Sequence, residues 1–327
     1  MINETRIKEH FLGLVQIDSE AGNEAAVAEV LKRQLAELGA SVAQDQAGRG
    51  INSNSGNIVA TLPGTIAGAP PLLLCAHMDT VVPGNGVKPV LEGSIIHSDG
   101  TTILGGDDKS GIAIIFEAIR SAREQRIPTG DLEVVFTICE EKGLQGARAM
   151  DTTTLRSKFG LVFDSDEPGV LFTKAPAANH LEWRITGRAA HAGVAPERGL
   201  SAIRVASEAI AQMRLGRIDF ETTANIGIIR GGAATNIIPA EVVVHGECRS
   251  RDAGKLAAQT QHMLQCFQDA AGRHAVALED VTVTATIDPT VIEAYGPMNV
   301  ADDAPIVHLV LAAGREVGSP VPIKAMG

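Results

Sequence analysis

"PLLLCAHMD", residues 71–79, sets a continuous apolar run directly before a histidine and an acid. An apolar run without polar alternation is typical of a strand that is buried on both faces of a parallel sheet. Because side chains alternate along a strand, His77 and Asp79 lie on the same side. The stretch therefore predicts a buried strand with chemically active groups at its carboxyl end.

The segments around this strand alternate between strand-like and helical patterns. Strands are predicted in GNIVATL, DLEVVFTICEE and FGLVFDSD, and helices in the first 40 residues and in GIAIIFEAIRSAREQ. This order predicts an α/β fold with a mixed sheet flanked by helices. After about Lys174 the strands alternate apolar and polar residues, and their order with two helices predicts a separate α+β unit with a half-exposed antiparallel sheet.

Acidic residues recur where the predicted strands end. The groups are His77-Met78-Asp79, Asp107-Asp108, Glu140-Glu141 and Asp164. The carboxyl ends of strands form the ligand crevice of open α/β sheets, so we expect these side chains to converge, although any one of them alone is as well explained as a solvated strand end. Converging carboxylates need cations, and imidazole with carboxylates suits zinc, manganese or cobalt. The number of acids favours two metals, with Asp79 fixing the second ring nitrogen of His77.

Other functional classes fit the sequence less well. LGGDDKSG, residues 104–111, lacks the glycine that a phosphate loop needs before Lys109-Ser110, and neither G-x-S-x-G nor H-E-x-x-H occurs. A net charge of -11 argues against nucleic acid as a partner. No apolar run is long enough to cross a membrane, and the first residues do not resemble a signal peptide. We therefore expect a cytoplasmic protein with no membrane partner, whose cysteines, without any C-x-x-C pair, are mainly buried thiols.

Six motifs together resemble the M20 metallopeptidases, in particular their peptidase T-like branch of tripeptidases and aminopeptidases. They are AHMDTVVPGNGVKPVLEG, SDGTTILGGDDKSGIA, FTICEEKGLQGAR, FDSD, GRAAHAGVAPERGLSAI and GGAATNIIP. The resemblance implies a zinc-peptidase-like α/β domain with an inserted α+β lid domain that forms a homodimer. It assigns residues 1–174 and 291–327 to the catalytic domain and 175–290 to the lid.

The same resemblance implies a role for each residue that matches a family motif. His77 and Asp164 would bind one metal, Glu141 the other, and Asp107 both, with a cis peptide after Asp107. Glu140 would be the general base that takes a proton from the water between the metals, and Asp79 would orient His77. The lid would contribute three residues that contact the substrate, namely His191, Asn236 and Arg249.

The resemblance implies hydrolysis of short peptides with two divalent metal ions, zinc or alternatively cobalt or manganese. Another M20 amidohydrolase, such as an N-acyl amino acid deacylase or a carboxypeptidase, is the alternative within the same fold. The family's second metal also needs a histidine beyond a glycine-rich segment with Ser-Asp, and the sequence ends at PIKAMG, about where that segment would start. We therefore expect a C-terminally truncated chain, for which a non-catalytic metal-binding fragment is a further alternative.

Overall fold

The chain folds into two units, Met1–Pro168 and Gly169–Gly327, in a computed structural model. The structure describes residues 2–279 and 281–326, so the predicted domain ends at Met1 and Gly327 lie outside the described residues, as does Asp280. The predicted assignment of residues 291–327 to the catalytic domain stays a prediction.

The first unit contains a mixed sheet and its helices. Its helices are α1 (Glu4–Val15), α2 (Ala25–Glu37), α3 (Gly48–Ile51), α4 (Gly106–Glu124) and α5 (Gln145–Ala149), with a 3₁₀ turn at Thr152–Thr154. Its strands are β1 (Ser41–Gln44), β2 (Ile58–Leu62), β3 (Leu72–His77), β4 (Pro89–Glu92), β5 (Ile95–Ser98), β6 (Leu132–Thr137) and β7 (Gly160–Val162). The predicted strands and helices of this half are confirmed.

The five-stranded sheet of the first unit has the order β1-β2-β6-β3-β7. Strands β6, β3 and β7 run parallel, whereas β1 and β2 are antiparallel to their neighbours. Continuous apolar runs form the parallel strands because both faces are covered. The core below them includes fully buried Leu31, Ile58, Phe116 and Phe136.

The second unit is built around an antiparallel sheet and two long helices. Its helices are α6 (Ala202–Gln212), α7 (Ala253–Arg273) and α8 (Pro305–Glu316), with a 3₁₀ turn at Pro196–Arg198. Its strands are β8 (Leu171–Ala175), β9 (Ala177–Thr186), β10 (Ala190–His191), β11 (Gly216–Arg217), β12 (Thr222–Gly231), β13 (Ile237–Ile238), β14 (Glu241–Ser250), β15 (Ala275–Leu278), β16 (Val281–Thr284), β17 (Thr286–Tyr295), β18 (Met298–Asn299) and β19 (Ile323–Ala325).

The main sheet of the second unit has the order β11-β12-β14-β9-β17, and all its pairs are antiparallel. On β9 the buried residues alternate with accessible ones, and the inward face includes Leu181, Trp183 and Ile185. Trp183 packs on Phe267 of α7 with ring centroids 4.6 Å apart. The predicted α+β unit with a half-exposed sheet is therefore confirmed.

Candidate metal centre

The carboxyl ends of three adjacent parallel strands carry the predicted site residues. His77 is the last residue of β3, Glu140 and Glu141 follow β6, and Asp164 follows β7. Parallel neighbours end at the same edge of a sheet, so their following residues meet there. Asp107 joins them from the first turn of α4, where its backbone and that of Asp108 depart from helical angles.

The imidazole of His77 lies at the centre of this group. Its Nε2 is 2.9 Å from Asp107 Oδ1 and 4.0 Å from Glu140 Oε2. Two sets of possible ligand atoms, each within 4.8 Å of one another, share this histidine: one with Asp107 and Glu141, the other with Glu140 and Asp164. The structure thus brings together all five of these residues, as the sequence predicts.

The acids of the cluster are difficult to ionise together. Burial raises the pKa of Glu140 to about 7, and the nearby charges of Asp164 and Glu141 act in the same direction. Burial likewise raises the pKa of Asp164 and of Glu141, with Asp107 adding to both. Partial burial and mutual repulsion therefore favour a cation among these oxygens.

In the described chain the imidazole supplies the only cationic group in direct contact with the cluster. Burial works against protonation of His77, but the hydrogen bond to Asp107 and the nearby carboxylate of Asp79 outweigh it and raise the pKa of His77 to about 11. The hydrogen bond from His77 in turn lowers the pKa of Asp107. One imidazole among converging carboxylates is a donor set that suits zinc, cobalt or manganese, so the residues fit a divalent metal.

Asp108 turns away from the cluster and binds backbone. The side chain is buried and accepts the N–H groups of His77 at 3.2 Å and Gly111 at 3.1 Å. A Cβ at Gly111 would lie 2.2 Å from Asp108 Oδ1 and 2.5 Å from the Phe163 carbonyl oxygen, so only glycine fits there. The expected cis peptide between Asp107 and Asp108 is confirmed.

Asp79 is fully buried and serves the strand end beside it. Its two carboxylate oxygens accept the N–H groups of Glu140 at 2.9 Å and Glu141 at 3.1 Å. Oδ1 also lies 3.5 Å from Nδ1 of His77, a ring nitrogen with no hydrogen-bond partner among the described residues. Asp79 therefore lies beside the imidazole, and its role in orienting His77 stays a prediction. It also holds two backbone amides, which the sequence did not predict.

Lys109 is a buried cation next to the site that the sequence analysis considered only as part of a phosphate loop. Its Nζ donates to Ser19 Oγ at 2.7 Å, and Ser19 donates to the Met78 carbonyl at 2.9 Å. Burial lowers the pKa of Lys109 to about 8, although the charges of Asp79 and Asp18 oppose this. A single lysine in a helix carries no periodic signal, so only the three-dimensional structure reveals this contact.

The three predicted lid residues belong to the second unit. His191 lies on β10, where its Nδ1 accepts the N–H of Gly193 at 3.2 Å. The Asn236 carbonyl accepts the N–H of Ala192 at 2.9 Å, next to the pairing of β10 with β13. Arg249 on β14 forms an ion pair with Glu247 at 3.0 Å. His191 and Asn236 are thus neighbours on one exposed ribbon, and their role in substrate binding stays a prediction.

Comparison with known proteins places the chain in a family. Residues 176–275 match the peptidase dimerisation domain M20_dimer, and residues 57–201 match peptidase family M28. The whole chain is 42% identical to YqjE of Bacillus subtilis and covers 86% of that protein. It is also 41% identical to the crystal structure of aminopeptidase PepT from Bacillus cereus, with a TM-score of 0.89 over the whole chain and 85% of that structure. The chain belongs to the M20 metallopeptidases.

A second solved structure supports the peptidase T-like branch of the M20 family. The tripeptidase of Staphylococcus aureus is 38% identical to this M20 peptidase, with a TM-score of 0.92. The alignment covers all of this chain and 86% of that structure.

The expectation of a further ligand histidine after the last residue stays a prediction. Among the helices that the structure describes, none is long and apolar enough to cross a membrane.

Proposed function

We propose that this M20 peptidase is a metal-dependent exopeptidase that removes the N-terminal residue from short peptides. The observation that carries the proposal is the likeness, over the whole chain, to an aminopeptidase at 41% identity and a tripeptidase at 38% identity. The cluster of one imidazole and four carboxylates at the sheet edge supports it, because amide hydrolysis at neutral pH needs an activated water.

The proposed ligands are those that the resemblance to the family motifs implies, and all four of them occur in the two sets of atoms around His77. His77 and Asp164 would hold one divalent ion, Glu141 would hold the second, and Asp107 would contribute to both. When bound, such ions lower the pKa of water to about 7 and polarise the scissile carbonyl. We propose zinc as the native metal, with cobalt or manganese as substitutes, because the donors are imidazole nitrogen and carboxylate oxygen.

Glu140 is the proposed general base. Its carboxylate is half-buried at the edge of the cluster, and burial raises its pKa to about 7, close to the value at which a base works best near neutral pH. The side chain takes a proton from the attacking water and passes it to the nitrogen of the leaving amine. Asp79 supports this step, since it holds the Glu140 amide and faces the His77 ring.

The second unit supplies the proposed contacts to the substrate and to a second copy of the chain. His191, Asn236 and Arg249 are the residues that we propose contact the peptide. The match of residues 176–275 to a dimerisation domain supports a homodimer through this unit. All four cysteines are free, which supports a reducing compartment and hence the cytoplasm.

A substrate panel tests the proposed reaction. The protein loaded with Zn²⁺ is incubated with a free tripeptide, the same tripeptide acetylated at its N-terminus, and an N-acetyl amino acid. We expect release of the first residue from the free tripeptide only, because an aminopeptidase recognises a free N-terminus. Faster turnover of the N-acetyl amino acid would replace this proposal with that of a deacylase.

Substitution of the base tests its assigned role. Glu140→Gln keeps the size of the side chain but cannot accept a proton, so we expect kcat to fall roughly 10²–10⁴-fold. Calorimetric titration with Zn²⁺ on the same variant checks that metal binding survives. Turnover equal to that of the wild type would remove Glu140 from the mechanism.

A further inference from the structure

The proposed base Glu140 is the third of four consecutive residues whose backbone amides are each bound by a buried side chain from a distant segment. The bonds run from Ile138 N to Asn57 Oδ1 (3.1 Å), Cys139 N to Glu24 Oε1 (3.0 Å), Glu140 N to Asp79 Oδ1 (2.9 Å) and Glu141 N to Asp79 Oδ2 (3.1 Å). The accepting residues Asn57, Glu24 and Asp79 are each fully buried. The backbone N–H groups of the segment that follows β6, which carries Glu140 and Glu141, are therefore bound by side chains and not by another strand.

Glu24 makes the most contacts of these three anchors. Its Oε1 accepts the N–H groups of Gly22 at 2.8 Å and Cys139 at 3.0 Å and lies 3.3 Å from Cys139 Sγ, while Oε2 accepts the hydroxyl of Ser53 at 2.7 Å. No ion pair to Glu24 occurs within residues 2–279 and 281–326. A buried carboxylate without a cation depends on such hydrogen bonds, and these are stronger than bonds between neutral groups.

Cys139 occupies an uncommon backbone conformation directly before the base. Its φ of 48° lies in the left-handed region, where few residues other than glycine are found. Here the chain leaves β6 and turns toward the cluster, and the Cys139 carbonyl accepts the N–H of Gln145 at 3.1 Å. Glu24 thus holds the amide of Cys139, and Asp79 holds the amide of Glu140, so both amides next to the Cys139 α-carbon are bound by buried carboxylates.

We propose that Glu24 is a positioning residue that sets the direction of the Glu140 carboxylate by holding the Cys139 amide. The inference rests on the proposed function, in which Glu140 is the base. Glu24 contacts neither substrate nor metal in this scheme, so it acts only through the backbone. The site requires the length of the Glu24 side chain, which brings the carboxylate to the Cys139 amide. It does not require the negative charge of that carboxylate.

Two substitutions at Glu24 separate reach from charge. Glu24→Gln keeps the length of the side chain, and its amide oxygen still accepts the N–H groups of Gly22 and Cys139. Glu24→Asp keeps the charge but withdraws the carboxylate from Cys139 by one carbon–carbon bond, about 1.5 Å. A role in positioning therefore predicts a worse enzyme with aspartate than with glutamine, and a role in electrostatics predicts the reverse order.

Glu133 offers a matched control at the other end of the same region. It lies on β6, is buried, and accepts the N–H groups of Arg156 at 3.1 Å and Ser157 at 2.7 Å. Its carboxylate thus anchors a loop that carries none of the site residues. Glu133→Asp shortens a buried glutamate in the same way. It therefore shows how much such a shortening alone changes kcat and hydrogen–deuterium exchange.

The experiment measures kcat and KM of the zinc-loaded protein on a free tripeptide, at a temperature where each variant is fully folded by circular dichroism. We expect Glu24→Asp to lower kcat roughly 10–100-fold with little change in KM, and Glu24→Gln to stay within about threefold of the wild type. Glu133→Asp leaves kcat unchanged. Hydrogen–deuterium exchange of the segment 138–144 provides a readout that needs neither metal nor turnover, and we expect faster exchange in Glu24→Asp alone.

The possible results separate this inference from the proposed function. A Glu24→Asp variant with unchanged kcat and unchanged exchange, or one that is more active than Glu24→Gln, would overturn the positioning role. Glu140→Gln is measured alongside: if it abolishes turnover while Glu24→Asp leaves kcat and exchange unchanged, only the inference about Glu24 fails. If Glu140→Gln remains fully active, the proposed base fails, and faster exchange of segment 138–144 in Glu24→Asp still supports Glu24 as the residue that holds this segment.

Discussion

Single buried carboxylates in the first unit differ in what neutralises them. Glu117 on α4 pairs with Arg6, whose Nε lies 2.6 Å from Oε2, and it also accepts the N–H of Asn3 at 2.8 Å. Among the described residues, the acids around His77 have no such arginine. Burial raises the pKa of Glu140 to about 7 and also raises the pKa of Glu141 and of Asp164, whereas the hydrogen bond from His77 lowers the pKa of Asp107. The contrast distinguishes an acid whose ion pair stabilises the fold from acids whose arrangement fits a metal ion.

The Arg6–Glu117 pair makes stability depend on pH. The hydrogen bond from Arg6 lowers the pKa of Glu117 to about 2, so its contribution is complete above the unfolded pKa of about 4.3 and is lost as pH falls toward 2. We expect Glu117→Gln to lower the free energy of unfolding by roughly 1.5–3 kcal/mol at pH 7 and by less at pH 3. Urea unfolding of both proteins across this pH range measures the difference.

Glu124 provides the matched control for this prediction. It contacts the same Arg6 but is largely exposed, so Glu124→Gln should lower the free energy of unfolding clearly less than Glu117→Gln does. The Arg6–Glu117 pair would not be the cause of the pH dependence if the free energies of unfolding of Glu117→Gln and the wild type differed by the same amount at pH 7 and at pH 3.

Some site residues could be predicted from the sequence and others could not. His77 and Asp164 lie at the ends of apolar strands, and together with the acids at the other strand ends this position indicated a ligand crevice. Glu24 and Asn57 act through backbone amides of a segment more than 80 residues away, a relation that no local pattern encodes. Glu24 in the sequence is simply an acid before a helix, and its hydrogen bonds to Cys139 exist only in the folded chain.

Helix α4 connects the site to the core of the first unit. Its first turn carries Asp107, and Phe116, nine residues later, is fully buried. The ring of Phe116 stacks on Phe136 with centroids 5.9 Å apart and meets the edge of His10 at 5.0 Å. The aromatic contacts therefore fix the helix against β6, the strand that leads to Glu140.

Removing the Phe116 ring tests how firmly α4 is packed. Phe116→Ala should lower the free energy of unfolding by about 3–5 kcal/mol, since it leaves a cavity in a closed core. Ile114→Ala, on the same helix at 42% exposure, should change it by less than about 1 kcal/mol. Urea unfolding followed by far-ultraviolet circular dichroism compares them, and equal effects of the two changes would refute this packing.

At the scale of elements, buried strands and long helices were predictable and short accessible strands were not. β3 is apolar up to His77 and β6 is apolar except for Glu133 and Thr137, so their patterns are unambiguous. The hairpin of β4 and β5 is mostly accessible and gave no signal. The alternating stretch at residues 281–289 divides between β16 and β17, which belong to different sheets, because an alternating pattern does not specify which neighbour a strand pairs with.

At the scale of the whole molecule, the sequence signalled two kinds of sheet. Buried strands give way to alternating ones near Lys174, and the structure divides the chain after Pro168. The likeness to M20 peptidases accounts for both units, the first with the acid cluster and the second with the dimerisation match. Three properties depend on molecules outside the chain: the binding of a second copy, the identity of the native metal and the preferred peptide. The sequence pattern could therefore only suggest them.

The central claim is that the strand-end acids hold divalent metal ions that peptide hydrolysis requires. The most direct measurement is turnover of a free tripeptide by protein stripped with a chelator, checked for metal by elemental analysis, and then titrated with Zn²⁺. We predict no turnover in the stripped protein, recovery on addition of Zn²⁺, and no recovery in Asp107→Asn, which removes the bridging carboxylate. Undiminished hydrolysis by the wild-type protein free of metal would contradict the account.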